Sequence, residues 1–446
     1  MKINRRNLLS TALFGAGYLG LRSLATGIPT AILAKGKNAF ADEMPACAKT
    51  KAQFMILATS GLGDPLNANA PGTYASSGPL ATIAHNLDST MAATAMTIGS
   101  TATTAARPWA STDVGGQLPA NVLERMTVWH LMTNTPVHPR EPDVLSLMDT
   151  TAPKEMLPSL LARQLAPCLG TIQNQPITLG ATSPSEGLSF GGQALPIIPP
   201  LALKATLTNP TGVLAGLTSL QALRDDTLSK INDIYRRTAT KSQKAYLDSV
   251  ITSQSQIRSI DQNLLSALGS ITDNSVAAQI TAAVVLIQMN VTPVVAIHIP
   301  FGGDNHNDTG LALEAAQTVS GLGSIAFLMN QLQSMSNASG SLFDQVSFMS
   351  LNVFGRTIGP INTDGRQHNP NHQVSITIGK PFKPGILGGI APVGTDFGAT
   401  AIGSVAAGDT LASYGKTVMS AVGIDAGYVN QVITSGTVIP DALVTP

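Results

Sequence analysis

Residues 291–299 most constrain how this chain can fold. The run Val-Thr-Pro-Val-Val-Ala-Ile-His-Ile is apolar and rich in β-branched side chains, which suits a strand buried on both faces. Residues 301–306 follow as Phe-Gly-Gly-Asp-Asn-His, so polar side chains begin at the carboxyl end of the predicted strand. Open α/β sheets bind their ligands at that edge. The sequence therefore predicts a sheet whose carboxyl edge presents Asp304 and His306.

Apolar runs of strand length alternate with segments of helical period along the chain. Because parallel strands joined by helices produce this alternation, it predicts an α/β domain with a mostly parallel sheet flanked by helices. Further strands are predicted at 51–58, 123–132 and 346–354, and helices at 153–167, 274–289, 309–333 and 409–422.

Residues 217–271 differ in character, because apolar side chains recur at helical intervals with polar residues between them. We expect a helical insertion here, which either serves as a cap or partner surface or packs as a layer on the sheet. With this insertion, residues 42–446 are predicted to form a single domain.

The first 41 residues have the pattern of a targeting segment. Paired arginines, Arg5 and Arg6, precede an apolar stretch, and Ala39-Phe-Ala is a small-x-small cleavage signal. This pattern predicts a twin-arginine signal peptide and a periplasmic or extracellular protein; an ordinary amphipathic N-terminus is the alternative. Arg22 interrupts the apolar stretch, so this segment is too short for a membrane span. No transmembrane span is expected in the mature chain, since the apolar helix predicted at 274–289 is interrupted by Gln279, Thr281 and Gln288.

Charge and cysteine content bound the partners and the chemistry. The chain has 26 Lys plus Arg and 26 Asp plus Glu, without a basic run after the signal, so a nucleic-acid partner is not expected. The partner is otherwise unknown. Cys47 and Cys168 either pair in an oxidising compartment or stay free.

Polar residues after other predicted strands extend the candidate site. Asp64 follows the first strand, and residues 365–368, Gly-Arg-Gln-His, follow the strand at 346–354 and end in His368. Aspartate and histidine are suitable ligands for zinc and similar ions. Spacing leaves two interpretations open: a metal or anion site, or solvated turn residues in glycine-rich loops.

The order of the motifs resembles an exported family, domain of unknown function 1501, whose fold is similar to alkaline phosphatases and sulfatases. The resemblance covers nearly the whole mature chain. It implies an alkaline phosphatase/sulfatase-like fold and a metal-dependent hydrolase ancestry. The matching motifs are Gly63-Asp-Pro-Leu-Asn67, His138, Gly302-Gly-Asp-Asn-His306, Asn352-Val-Phe-Gly-Arg-Thr357, Gly365-Arg-Gln-His368 and Gly388-Gly389.

Four positions depart from the family pattern. Val353 and Gln367 stand where the family has acidic residues, Val137 replaces a serine, and Gly303 replaces a tryptophan. The remaining carboxylates and imidazoles suffice for one zinc-like divalent ion and are few for the two ions of a phosphoryl or sulfuryl transfer site.

The surviving motif residues define the expected site. Asp64, Asp304, His306 and His368 are the expected metal ligands, and Arg356 and His138 the expected anion-binding residues; the alternative role of Arg356 is to hold the adjacent loop through backbone carbonyls. Two functions follow as hypotheses: a degenerate family member with a binding or assembly role, or a metal-dependent hydrolase of phosphate or sulfate esters.

Overall fold

The computed structural model describes most of the chain after residue 47. The described residues are 48–111, 113, 118–152, 154–171, 173–180, 187–207, 262–300, 304–337, 339–359 and 364–444, with isolated positions between 230 and 244. The predicted signal peptide, Cys47, the glycines at 302–303 and most of the predicted helical insertion lie outside them; its last ten residues, 262–271, are described.

A seven-stranded sheet forms the centre of the molecule. Its strands are β1 (Phe54–Ser60), β2 (Met126–Leu131), β3 (Ile177–Thr178), β4 (Val294–Ile297), β5 (Val346–Asn352), β6 (Gln373–Ile378) and β7 (Gly385–Leu387). Their order across the sheet is β7-β2-β6-β5-β1-β4-β3.

Strand direction places several loops at one edge of this sheet. β1 pairs in parallel with β4 and β5, β3 with β4, and β2 with β7. β6 is antiparallel to both β5 and β2. The carboxyl ends of β1, β2, β4 and β5 and the amino end of β6 therefore share one edge. The mainly parallel α/β sheet predicted from the alternation is confirmed.

Helices cover both faces of the sheet. Because successive side chains of a strand point to opposite faces, Ile56 packs into the cluster that includes α4 and α5, whereas Leu57 packs into the cluster that includes α1 and α6. The helices are α1 (Leu157–Leu169), α2 (Pro200–Leu207), α3 (Gln262–Gly269), α4 (Val276–Gln288), α5 (Ala312–Ser334), α6 (Thr410–Ala421) and α7 (Ala426–Val432), with shorter helical segments at Arg107–Ala110, Ala120–Leu123, Glu141–Leu145 and Leu342–Gln345.

One helical segment, Thr309–Ser334, is long and apolar enough to cross a membrane by length and composition. Leu322, Ile325 and Leu328 bury this segment in the same cluster as α4. Glu314, at its start, is fully buried and paired with Arg366. One side of the segment therefore packs on the core, and 39% of its apolar window is buried.

Two stretches differ from the sequence-based expectation. Residues 68–120 are rich in Ala, Thr, Ser and Gly with little periodicity, which predicts long loops with at most one helix, but they contain an antiparallel hairpin of Ala93–Ile98 and Thr101–Ala106. The strand predicted at 123–132 begins only at Met126, because Ala120–Leu123 forms a helical turn. Further two-stranded pairs lie in the loops: Ser189–Phe190 with Gln193–Ala194, Ser336–Asn337 with Gly340–Ser341, Gly355–Arg356 with His368–Asn369, and Ile390–Val393 with Asp396–Ala399.

Candidate metal centre

Four side chains from three loops meet at the shared edge of the sheet. His138 begins the short turn His138–Arg140 after β2, Asp304 and His306 lie after β4, and His368 opens the two-residue strand ahead of β6. One ligand atom of each lies within 4.8 Å of the others, and they are the one such group found among the described residues. His138, Asp304, His306 and His368 can therefore hold a metal ion.

The spacing within the group fits one ion. His306 Nε2 lies 2.9 Å from His368 Nε2 and 3.1 Å from Asp304 Oδ1. In a tetrahedral zinc site with bonds of about 2.0–2.1 Å, ligand atoms stand about 3.3 Å apart. The group is thus close to the dimensions of one tetrahedral ion and too small for two.

Backbone carbonyls fix the proton on two of the imidazoles. His138 Nδ1 lies 2.6 Å from the carbonyl oxygen of Gly61, and His368 Nδ1 lies 2.6 Å from that of Pro136. A carbonyl oxygen only accepts, so each Nδ1 carries the hydrogen and each Nε2 keeps its lone pair. Metal-ligating histidines in proteins are oriented in this way.

Packing keeps His368 in its neutral, ligating form. The ring of Phe354 stacks on His368 with centroids 4.3 Å apart and meets the edge of His138 at 4.8 Å. Burial lowers the pKa of the His368 imidazole, and the charges of Arg356 and of the neighbouring histidines lower it further against the opposing effect of the Pro136 carbonyl. A neutral imidazole is the state that binds a metal.

Arg356 lies directly beneath the group. Its side chain is fully buried, and one guanidinium nitrogen donates to the carbonyl of Leu62. The other terminal nitrogen, Nη1, lies 3.5 Å from both Asp304 Oδ1 and His306 Nε2. Arg356 therefore makes the loop-holding contact and also brings a positive charge to the centre.

The loop that carries Asp304 and His306 is anchored by the segment after β5. The amide of Arg366 donates to the carbonyl of Asn305. Gly365 has φ 122°, and a Cβ there would lie 2.2 Å from the His306 carbonyl oxygen, so only glycine allows this approach. Arg366 in turn forms a buried two-point ion pair with Glu314, which fixes the loop against α5.

Asp64, expected as a fourth ligand, lies outside the four-residue group. It is fully buried, and its two carboxylate oxygens accept the backbone amides of Leu66 and Val374. Burial raises the pKa of Asp64 to about 7 against the opposing effect of these hydrogen bonds. Its observed contacts cap the turn Pro65–Ala68 and tie that turn to β6, whereas His138 occupies the fourth place in the group.

Two of the described positions that depart from the motifs, Val137 and Val353, have apolar side chains without a ligand atom. Val353 is fully buried in the apolar cluster beneath α1 and α6. Ser60 and Thr135, hydroxyl side chains near Gly63 and His138 in the sequence, are both buried, and their oxygens accept the amides of Leu62 and Val137. Asp304 is the most open member of the group, with a side chain that is 53% exposed.

The sequence predicted His138 as an anion-binding residue and not as a metal ligand, because its loop lacks the Gly-Gly that precedes Asp304. The pair that sequence spacing did single out, Asp304 and His306, is in the group.

The chain as a whole matches no family model, no curated protein and no solved structure.

Proposed function

We propose that the protein binds one zinc-like divalent ion through His138, Asp304, His306 and His368. The observation that carries this proposal is the pair of carbonyl hydrogen bonds that direct the Nε2 lone pairs of His138 and His368 into the group. Three imidazoles and a carboxylate match the preferred ligand types and number of a tetrahedral zinc site.

We further propose a binding or assembly role outside the cytoplasm, as a degenerate member of the exported sulfatase-like family. Both the family and the export stay predictions from the sequence. Val353, buried in the core where the family has an acid, supports loss of the second metal site. A four-ligand shell also supports a binding role, because catalytic zinc keeps an open position for water.

A metal-dependent hydrolase of phosphate or sulfate esters is the second candidate. Asp304 supports it, because this carboxylate is exposed and lies within reach of Arg356. If Asp304 turns to Arg356, the three imidazoles leave one position for a water, whose pKa the ion would lower. Arg356 would then face the anionic group of the ester.

Metal analysis of protein purified without chelators tests the binding. One ion per chain is expected in the wild type and in His85→Ala, whose ring stacks on Tyr74 and is not in the group. Asp304→Ala and His306→Ala should lower the content well below one. A wild type without metal after titration with Zn²⁺ would overturn the proposal.

An ester assay separates the two roles. We expect the zinc-loaded wild type not to cleave p-nitrophenyl phosphate or p-nitrophenyl sulfate above the rate of free Zn²⁺. Brisk cleavage by the wild type that His306→Ala abolishes and His85→Ala retains would establish the hydrolase instead.

A further inference from the structure

A chain of three buried polar side chains lies under the metal centre. Asn67, His130 and His372 are all fully buried. Asn67 Nδ2 lies 3.2 Å from His372 Nδ1, and His372 Nε2 lies 2.9 Å from His130 Nδ1. The chain ends at the carbonyl of Pro71, 3.2 Å from His130 Nε2. None of the three belongs to the four-residue group.

The groups at the two ends of this hydrogen-bonded series, Asn67 and the Pro71 carbonyl, fix which nitrogen of each imidazole carries the hydrogen. Asn67 Nδ2 also donates to the carbonyl of Arg356 at 2.8 Å, so the amide nitrogen and not the oxygen faces His372. His372 Nδ1 must then accept, and its Nε2–H donates to His130 Nδ1. His130 Nε2–H donates to Pro71 in turn. Burial lowers the pKa of both imidazoles, which agrees with this neutral order.

The hydrogen-bonded series Asn67–His372–His130 contacts the strand that carries Arg356. Arg356 pairs with His368, and Gly355 with Asn369, in a two-residue antiparallel ribbon. Asn67 holds the ribbon at the Arg356 carbonyl. A Cβ at Gly355 would lie 1.8 Å from the carbonyl oxygen of His372, so the strand rests directly on the His372 backbone. This short ribbon therefore links the three buried side chains to His368, a proposed metal ligand, and to Arg356.

We propose that Asn67, His372 and His130 are positioning residues for the metal centre, holding the Arg356–His368 ribbon where His368 meets the other ligands. This inference rests on the proposed metal binding. It assigns affinity for the ion to side chains that never touch it, as outer-shell partners of metal ligands do.

Asn67→Asp is the sharpest variant, since it keeps the size of the side chain and replaces the amide donor by an oxygen. That oxygen would face the carbonyl of Arg356. Asn290→Asp is its matched control: the Asn290 amide also donates to backbone carbonyls, those of Leu169 and Gly170, at the end of α1. Both variants lose a donor to a backbone carbonyl, but only one lies under the ribbon.

Zn²⁺ affinity and the visible spectrum of the Co²⁺ form provide the readouts. We expect Asn67→Asp to weaken Zn²⁺ binding by about 10–100-fold, the usual effect of losing an outer-shell partner, and to alter the Co²⁺ bands. Asn290→Asp should bind as the wild type does, even with a similar loss in melting temperature. His372→Asn, which keeps an acceptor near the Nδ1 position, should retain more affinity than His372→Leu.

The positioning role and the metal binding are tested by different outcomes. A wild type that binds Zn²⁺ while Asn67→Asp binds it equally well would overturn the positioning role and leave the metal centre intact. A wild type that binds no Zn²⁺ would overturn the proposed function. The positioning role is then decided by imidazole NMR of the metal-free protein: the His368 Nδ1–H, held by Pro136, should exchange faster with water in Asn67→Asp than in Asn290→Asp, and equal exchange would overturn it.

Discussion

His306 and His368 are 62 residues apart in the chain, and their Nε2 atoms lie 2.9 Å from each other. The His368 Nε2 atom is an acceptor, because Nδ1 holds the hydrogen for Pro136. His306 Nε2 faces two acceptors, this lone pair and the Asp304 carboxylate oxygen 3.1 Å away, so it carries a hydrogen in the absence of an ion. A divalent ion would replace that hydrogen and lie between the same three atoms.

His138 provides the first prediction, because the structure places it in the group that could hold an ion, whereas the sequence suggested an anion contact. His138→Ala should weaken Zn²⁺ binding by more than about 100-fold, beyond the range for an outer-shell residue. The measurement is a zinc titration against a competing chelator, with His85→Ala as the matched histidine. Wild-type affinity in His138→Ala would leave the anion contact as its role.

The second prediction concerns Asp64. Asp64→Asn should leave the metal content at that of the wild type, because Asp64 lies outside the group. It should reduce the free energy of unfolding, since the Asn amide cannot accept from both Leu66 and Val374.

The pH dependence of that loss has a definite sign. The folded-state pKa of Asp64 is raised from 3.8 to about 7, so the folded protein keeps a proton that the unfolded chain releases. The wild type should therefore lose stability as pH rises from about 4 to about 7, whereas Asp64→Asn does not. The gap between them, measured by urea unfolding, should narrow over this interval; a constant gap would contradict the pKa assignment.

The sequence predicted the sheet because burial leaves a direct pattern in it. The run that becomes β4, Val-Val-Ala-Ile, is apolar on both faces, as buried parallel strands commonly are, and β5 is likewise buried along its whole length. The hairpin at 93–106 was missed although Gly99-Ser100 separates two Thr-rich runs, a recognised hairpin pattern, because Ala and Thr give weak alternation.

The sequence predicted three members of the group, Asp304, His306 and His368, but not the fourth, His138. Asp304 and His306 follow the same strand, so their proximity was visible in the sequence. Whether Asp64 or His138 completes the group depends on the course of separate loops, set by contacts such as Gly365 against the His306 carbonyl. No periodicity encodes such contacts, and His138, expected to bind an anion, therefore lies in the group in which Asp64 was expected.

Export provides the third prediction. If Arg5 and Arg6 are the recognition motif of a twin-arginine signal peptide, replacing both by lysine should leave the precursor in the cytoplasm. Fractionation and immunoblotting measure this, with Lys35→Arg as a charge-preserving control in the same segment. Unchanged recovery outside the cytoplasm would contradict the export hypothesis.

The fourth prediction compares two glycines, Gly355 and Gly323. Gly355→Ala should strongly destabilise the fold, because its Cβ would lie 1.8 Å from the His372 carbonyl oxygen and backbone atoms would have to move. Gly323→Ala, in the middle of α5 with no atom within 4 Å of a new Cβ, should instead stabilise it by about 0.5–1 kcal/mol. Melting temperatures that shift in the same direction would refute the packing described around the ribbon.

The buried imidazoles provide the last prediction, on acid stability. Burial lowers the folded-state pKa of His130 from 6.5 to about 4, so the unfolded chain takes up a proton first as the pH falls. Stability should decrease from about pH 6.5 to about pH 4, by roughly 3 kcal/mol for this group at about 1.4 kcal/mol per unit. His130→Gln, which keeps a neutral amide in the same place, should show a flatter decline in urea unfolding between these pH values. Parallel profiles for the two proteins would mean that His130 already carries a proton in the folded state, which is incompatible with the hydrogen order from Asn67 to Pro71.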